Sequence, residues 1–232
     1  RTICAQHPTG LKVTFQKTDY PDYGAFEWVL YFENTADHPL PLLEQIHAAD
    51  LTLVGDDPVL HYNIGDDPFD DHCMKPYDLE LRAGCALEFQ PTGGRGTCLQ
   101  FPYYRLDIDD FGLFVCVGWP GQWRIRFDCV ADNIYGPARE QLTITAGQAE
   151  FAACLLPGEK IRTPLMAFLR YDGRDEDGAV NRWRRWFIDC NLRTPEHNPL
   201  CPVLSTCGEV LTYRLTEDGE IALMKRLHEE GI

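Results

Sequence analysis

Short runs in which apolar and polar residues alternate are the feature that most constrains this fold. Phe26, Trp28 and Leu30 share one face of the segment 26–33, and the segment 123–129 alternates in the same way. A period of two is typical of a β-strand that is buried on one side and solvated on the other. The pattern therefore predicts a mainly β protein.

Turn signals such as Pro120-Gly121 and Pro157-Gly158 separate these runs from one another. Further short strands are predicted at 46–53, 59–62, 78–82, 86–90, 103–108, 112–119, 141–145, 149–155 and 164–170. About a dozen short strands separated by turns are typical of a large antiparallel β-sandwich.

The pattern changes after about residue 172. The segment 175–191 has helical spacing, with one apolar face formed by Val180, Trp183, Trp186, Phe187 and Cys190. A connector containing three prolines leads to a short strand predicted at 203–210 and a second helix predicted at 217–230. We therefore expect a sandwich domain over 1–172, a linker helix and connector over 173–202, and a β–α unit over 203–232.

The charge balance excludes two classes of partner. Asp and Glu number 36 against 21 Lys and Arg, which gives a formal net charge of −15. Such a field repels nucleic acid and anionic membrane surfaces. No apolar run approaches the roughly 18 residues of a membrane span. We therefore predict neither a nucleic-acid partner nor a membrane partner.

The ten cysteines allow two interpretations. Cys116 and Cys154 lie in apolar strand-like runs, where cysteine behaves as a small hydrophobic residue. No CxxC motif occurs, and no Cys/His pair has the spacing of zinc ligands. Free thiols in a reducing cytoplasm are therefore favoured over five disulfides in a secreted protein. No signal peptide is recognisable, but this is weaker evidence than usual because the chain begins with Arg1 rather than Met.

Two further segments each have a functional and a structural interpretation. Six carboxylates between Asp56 and Asp71 offer the oxygen ligands that Ca²⁺ prefers, but no calcium-loop spacing is met and a solvated loop is favoured. Trp119 and Trp123 flank a tight turn, where indole rings stack on sugars in some proteins; burial in the sandwich core is favoured. No metal site and no cofactor are predicted.

Five segments, in order, resemble a known family. They are 27–53, 93–106 (GGRGTCLQFPYYRL), 118–127 (GWPGQWRIRF), 156–169 (LPGEKIRTPLMAFL) and 181–191. Together they resemble the N-terminal region of α-galactosidase-like enzymes of glycoside hydrolase family 36, and the GWPGQW and RTPL blocks are the most specific. The family often has paired serines after Gly-Gly-Arg, where this chain has Gly96-Thr97.

The resemblance implies a large antiparallel β-supersandwich followed by a linker helix and the first β–α unit of a (β/α)₈ barrel. Enzymes of this family are retaining glycosidases that act on terminal α-galactosides, and their two catalytic aspartates lie on later barrel strands. The chain is therefore predicted to be a non-catalytic portion of such an enzyme. Its expected partners are an α-galactoside or another carbohydrate, the remainder of the barrel, and other copies of itself in a homo-oligomer.

The resemblance also implies three candidate substrate-binding residues. If the first barrel strand ends at about Thr206, Cys207 and Glu209 follow it on the active-site rim, and Arg95 in the Gly-rich loop would reach the same pocket. A structural ion pair is the favoured alternative for Arg95, and a solvated loop position is the alternative for Glu209. The alternative for the whole chain is a free-standing carbohydrate- or protein-binding sandwich without catalysis.

Overall fold

The computed structural model describes residues 1–66, 73–132, 139–173, 175–191 and 216–231. The chain divides into two compact units, Arg1–Trp186 and Phe187–Ile232. The described strands are β1 (Thr2–Gln6), β2 (Leu11–Tyr20), β3 (Ala25–Asn34), β4 (Leu43–Glu44), β5 (Ala49–Gly55), β6 (Val59–Ile64), β7 (Pro76–Glu80), β8 (Ala86–Phe89), β9 (Gln100–Ile108), β10 (Phe111–Gly118), β11 (Trp123–Ala131), β12 (Glu140–Gln148), β13 (Ala152–Ala153), β14 (Lys160–Arg162) and β15 (Leu165–Asp172). The described helices are α1 (Glu176–Trp186) and α2 (Glu217–Glu229), with a 3₁₀ turn at Pro21–Tyr23 and a π turn at Phe187–Asn191.

The first unit is a sandwich of two main antiparallel sheets, as the sequence predicts. The larger sheet has the order β1-β2-β3-β15-β10-β9-β6-β7, and β14 pairs with β3 beside β15. The smaller sheet has the order β5-β12-β11-β8, and β4 and β13 form a separate two-stranded ribbon. All the strand pairs within these sheets are antiparallel.

The period of two places one apolar face of each sheet in the core. On β11, Trp123, Ile125 and Phe127 are almost fully buried, whereas Arg126 between them is exposed. Phe168 of β15 packs on Phe26 and Trp28 of β3, with ring centroids 5.2 and 4.5 Å apart. The predicted apolar face of β3 is therefore a core face where it meets β15.

Helix α1 packs on the other face of the larger sheet. Its Ala179 and Trp186 are buried with Leu169 and Tyr171 of β15, and Trp183 stacks on Phe114 of β10 at 5.1 Å between ring centroids. The helix is therefore part of the same compact unit as the sheets.

Two sequence predictions differ from the structure in detail. The strand predicted over 149–155 is reduced to the two residues of β13, since Glu150 has a positive φ of 53° that ends β12 in a turn. The apolar helical face predicted to include Phe187 stops at Trp186, where a π turn begins, and Phe187 is 37% exposed.

In the second unit, helix α2 confirms the helix predicted near the end of the chain. Thr216 caps it, because the Thr216 hydroxyl accepts a hydrogen bond from the backbone N–H of Gly219 at 3.2 Å. The strand predicted over 203–210, and with it the first barrel strand, lies outside the described residues. Among those residues, no helix is both long and apolar enough to cross a membrane.

Candidate functional site

The structure brings together the most specific sequence blocks of the family resemblance at one end of the sandwich. The loop at 93–98 lies against the turn at 119–122, and Gly118 just before that turn pairs with Leu165 just after the RTP sequence. We call the loop 93–98, the turn 119–122 and Arg162 the loop platform.

Trp123 supports the loop platform from below. It is completely buried, and its indole N–H donates a hydrogen bond to the carbonyl oxygen of Gly96 at 2.7 Å. A Cβ on Gly96 would lie 3.1 Å from the carbonyl oxygens of Trp119 and Pro120, so this close approach favours glycine. The core interpretation of Trp123 is therefore confirmed.

Trp119 differs from Trp123 because it is only half-buried and packs at the edge of the core. The guanidinium carbon of Arg162 lies 5.6 Å from the centroid of its ring, within the range of a cation–π interaction. The loop platform thus presents an indole and a cation at its surface.

Arg95 forms an ion pair at the rim of the loop platform. Its Nη1 lies 2.7 Å from Oδ2 of Asp66, and the Arg95 side chain is 56% exposed. The backbone N–H of Asp66 donates to the carbonyl oxygen of Thr97, which ties the start of the acidic segment to the Gly-rich loop. A contact between Arg95 and a sugar remains a prediction.

Two of the three described carboxylates of the acidic segment pair with arginines. Asp56 lies 3.1 Å from Nε of Arg139, which also pairs with Asp109, and Asp66 pairs with Arg95. Within the described part of the chain, no group of three or more potential ligands is arranged to hold a metal ion. Residues 67–72 of this segment lie outside the description, so the solvated loop favoured there remains a prediction.

The two other candidate substrate-binding residues, Cys207 and Glu209, also lie outside the described residues. Among the described cysteines, Cys4, Cys85, Cys98, Cys116, Cys129 and Cys154 are free thiols. Burial raises the pKa of Cys116 to about 12 and that of Cys129 to about 11, so both are unreactive at neutral pH.

The outer face of the larger sheet carries a polar network that the sequence reasoning missed. The network consists of Asp78, His61, Asp107, Tyr171 and Arg105, and we call it the outer-face network. His61 lies between two carboxylates, with Nδ1 2.6 Å from Asp78 and Nε2 3.1 Å from Asp107. The hydroxyl of Tyr171 donates to Asp107 from the other side.

A glycine allows Tyr171 to reach Asp107. In the register of the sheet, Gly112 of β10 pairs with Tyr171 of β15 on one side and with Asp107 of β9 on the other. A Cβ on Gly112 would overlap the phenol ring of Tyr171. The ring therefore lies across the glycine, and three neighbouring strands contribute to one hydrogen bond.

The outer-face network shifts the pKa values of its members. The hydrogen bond with Asp107 is the main cause that raises the pKa of His61; burial opposes it, and the hydrogen bond with Asp78 adds to it. Burial acts to raise the pKa of Asp107, but hydrogen bonds from His61 and Tyr171 outweigh burial and lower it. Both shifts stabilise the ion-paired form, in which an imidazolium donates to both carboxylates.

Arg105 links the outer-face network to helix α1. Its side chain is 8% exposed, and Nη1 lies 3.2 Å from Oε1 of Glu176 in the first turn of the helix, although without hydrogen-bond geometry. The sequence signal was present in β9, where Arg105 and Asp107 alternate with the apolar Tyr104, Leu106 and Ile108. A period of two does not show whether the polar face is covered, and in the structure Arg105 and Asp107 are each only 7% exposed.

The sequence matches no family model and no curated protein, but the fold matches solved structures. A variant of the α-galactosidase AgaA of Geobacillus stearothermophilus, a glycoside hydrolase family 36 enzyme in complex with stachyose, has a TM-score of 0.67 and 17% identity over 81% of this chain and 26% of its own. The α-galactosidase of Lactobacillus brevis has a TM-score of 0.66 and 15% identity, with coverage of 81% and 25%. The galactosidase domain of the α-galactosidase–sucrose kinase AgaSK has a TM-score of 0.61 and 14% identity, with coverage of 74% and 24%.

These matches confirm the family resemblance at the level of the fold. The chain spans about a quarter of the length of these α-galactosidases, while they cover about three quarters or more of this chain. The first compact unit is therefore a β-sandwich of the kind found in α-galactosidases of glycoside hydrolase family 36.

Proposed function

We propose that this chain is the non-catalytic N-terminal portion of a retaining α-galactosidase-like glycoside hydrolase, whose complete form hydrolyses terminal α-galactosides. The observation that carries the proposal is the fold shared with α-galactosidases, together with the meeting of the GGRG, GWPGQW and RTPL blocks in the loop platform. Residues far apart in the chain are brought to one surface, which would adjoin the remainder of the barrel and its carbohydrate substrate. We also propose a cytoplasmic location, because the buried Cys116 of β10 and Cys129 of β11 are free thiols.

The proposal predicts that the isolated chain does not hydrolyse an aryl α-galactoside. Retention requires two carboxylates about 5–5.5 Å apart across the glycosidic bond, and the family places them on later barrel strands. The assay measures release of the aryl alcohol by the purified chain against a buffer blank. Turnover that persists after repurification would contradict the proposal. A reading frame that continues beyond Ile232 into further β–α units would support it, and one that stops there would favour the free-standing binding module.

Glu209 and Cys207 are proposed to lie on the active-site rim of the complete enzyme, at the end of its first barrel strand. There the Glu209 carboxylate accepts hydrogen bonds from sugar hydroxyls. Glu209→Ala should lower kcat/KM by the equivalent of about 1.5–3 kcal/mol, the loss typical of one hydrogen bond to a charged group. An unchanged kcat/KM in a folded variant would remove Glu209 from the site, and Glu217→Ala in helix α2 provides a control.

A further inference from the structure

A cleft of about 600 Å³ lies on the outer face of the smaller sheet, on the side away from the core. Its floor is formed by β8, β11 and β12, where Arg126 pairs with Glu88 on one side and with Thr145 on the other. Its wall is formed by the ribbon β4–β13 and the residues that join it to the sheet. The volume is within the range of small-molecule sites and has room for about two or three hexose units.

The wall of the cleft approaches the floor at Gly147. A Cβ at this position would lie 2.5 Å from the carbonyl oxygen of Ile46, so the glycine lets the backbone at 45–48 close one end. Gln45 and Glu150, both in the wall, have positive φ values of 54° and 53°. Left-handed backbone is uncommon for residues other than glycine, and the surrounding structure must hold it in place.

The floor contains two guanidinium groups, of which one is held by an ion pair and the other has no protein partner among the described residues. Arg126 binds Asp128 through two hydrogen bonds of 2.6 Å and lies 3.9 Å from Glu88. Arg124, the next outward residue on the same strand, is half-buried and has no hydrogen bond, ion pair or ring contact with any residue that the structure describes. Its planar set of five donors therefore points to an acceptor that this chain does not supply.

The charge of the lining decides between classes of ligand. Four carboxylates, from Glu44, Glu88, Asp128 and Glu150, face two guanidinium groups, which leaves an excess of two negative charges. This field opposes anions. A neutral ligand with many hydroxyl groups satisfies both signs, because hydroxyls accept from Arg124 and donate to the carboxylates. The ring of Phe151, which also lines the cleft, offers an apolar surface for a sugar ring.

We propose that this cleft binds a neutral oligosaccharide of about two or three hexose units, with Arg124 as its main hydrogen-bond donor. The ligand lies along β11 and β12 and replaces the water that would otherwise solvate the Arg124 guanidinium. The site uses no catalytic residue, so it is independent of the hydrolysis proposed for the complete enzyme.

NMR titration of the isotopically labelled chain tests the proposal, with maltotriose and cellotriose as neutral probes, spermidine as a cation and citrate as an anion. Either sugar, at up to about 20 mM, should shift the backbone amides of Arg124, Gly147 and Gln148. Arg124→Ala should weaken sugar binding by about tenfold or more, as expected for hydrogen bonds to a charged group. Arg170→Ala is the matched control, because this exposed arginine lies on the larger sheet, and it should leave binding unchanged.

Several results would overturn the proposal: no shift with either sugar, shifts that map outside the cleft, or equal binding by the Arg124→Ala variant. Binding of spermidine alone would make the cleft a cation site, and binding of citrate alone would make it an anion site; both results contradict a neutral ligand. The titration measures no hydrolysis, so absence of sugar binding would not contradict the proposed glycosidase role. Likewise, hydrolysis of an aryl α-galactoside by the isolated chain would not contradict sugar binding in the cleft.

Discussion

The inner face of the larger sheet carries Met166, Phe168 and Leu106, all fully buried against the core of the sandwich. The outer face carries Arg105 and Asp107 from the same strand as Leu106, each 7% exposed. The inner face is stabilised by removal of apolar surface from water, which needs shape but no specific partner. The outer face is stabilised only if every buried charge finds its partner. The inner face of this sheet therefore depends on apolar burial, whereas its outer face depends on specific pairs of charged side chains.

Loss of an inner aromatic side chain should give the largest effect. Phe168→Ala removes a fully buried ring that stacks on Phe26 and Trp28, and should lower the free energy of unfolding by about 3–5 kcal/mol. Urea denaturation followed by tryptophan fluorescence measures this loss. Leu79→Ala, at a position 36% exposed on β7, should cost far less. Equal losses would show that the inner face is not the main source of stability.

Loss of the charge at the centre of the outer-face network should give an intermediate effect. Asp107→Asn weakens the hydrogen bonds with His61 and Tyr171, and should lower the free energy of unfolding by about 1–3 kcal/mol. The exposed Asp110 provides the control, since Asp110→Asn removes a charge from the turn that follows β9 and leaves the outer-face network in place. If the two variants lower the free energy of unfolding equally, the outer-face network contributes nothing to stability.

A change of pH should give the smallest effect, with a defined sign. The pKa of His61 is raised in the folded protein, so its contribution is fully present below the unfolded value of 6.5 and is lost as the pH rises through the folded value. The pKa of Asp107 is lowered from 3.8, so its contribution is present above that value and is lost as the pH falls through the folded one. The outer-face network should therefore stabilise most between these two ordinary values.

The pH effect is measured as the difference in unfolding free energy between the unmodified chain and His61→Gln, from about pH 5 to about pH 9. The advantage of histidine should shrink as the pH rises. A difference that stays constant across this range would mean that the positive charge of His61 does not stabilise the folded protein.

The strands and helices of this protein were largely predictable from sequence, because they depend on local periodicity. Alternation in 26–33 and 123–129 marked β3 and β11, and apolar spacing marked α1. The strand expected over 149–155 was wrong in extent, since a left-handed turn at Glu150 is not visible in an apolar run. Of the three candidate site residues, Arg95 forms the ion pair that the sequence analysis gave as its favoured alternative, whereas Cys207 and Glu209 lie outside the described residues and stay predictions.

By itself, the sequence determined the class of fold, the faces of the main strands and the resemblance to α-galactosidases. Only the tertiary structure decided which residues meet. Gly112 is simply the first residue of the strand predicted over 112–119, but in the structure it makes room for Tyr171 to reach Asp107 two strands away. Periodicity is a property of neighbours along the chain, whereas strand order and register join residues that are distant in sequence. For the same reason, the loop platform and the cleft beside Arg124 became visible only when the sheets were assembled.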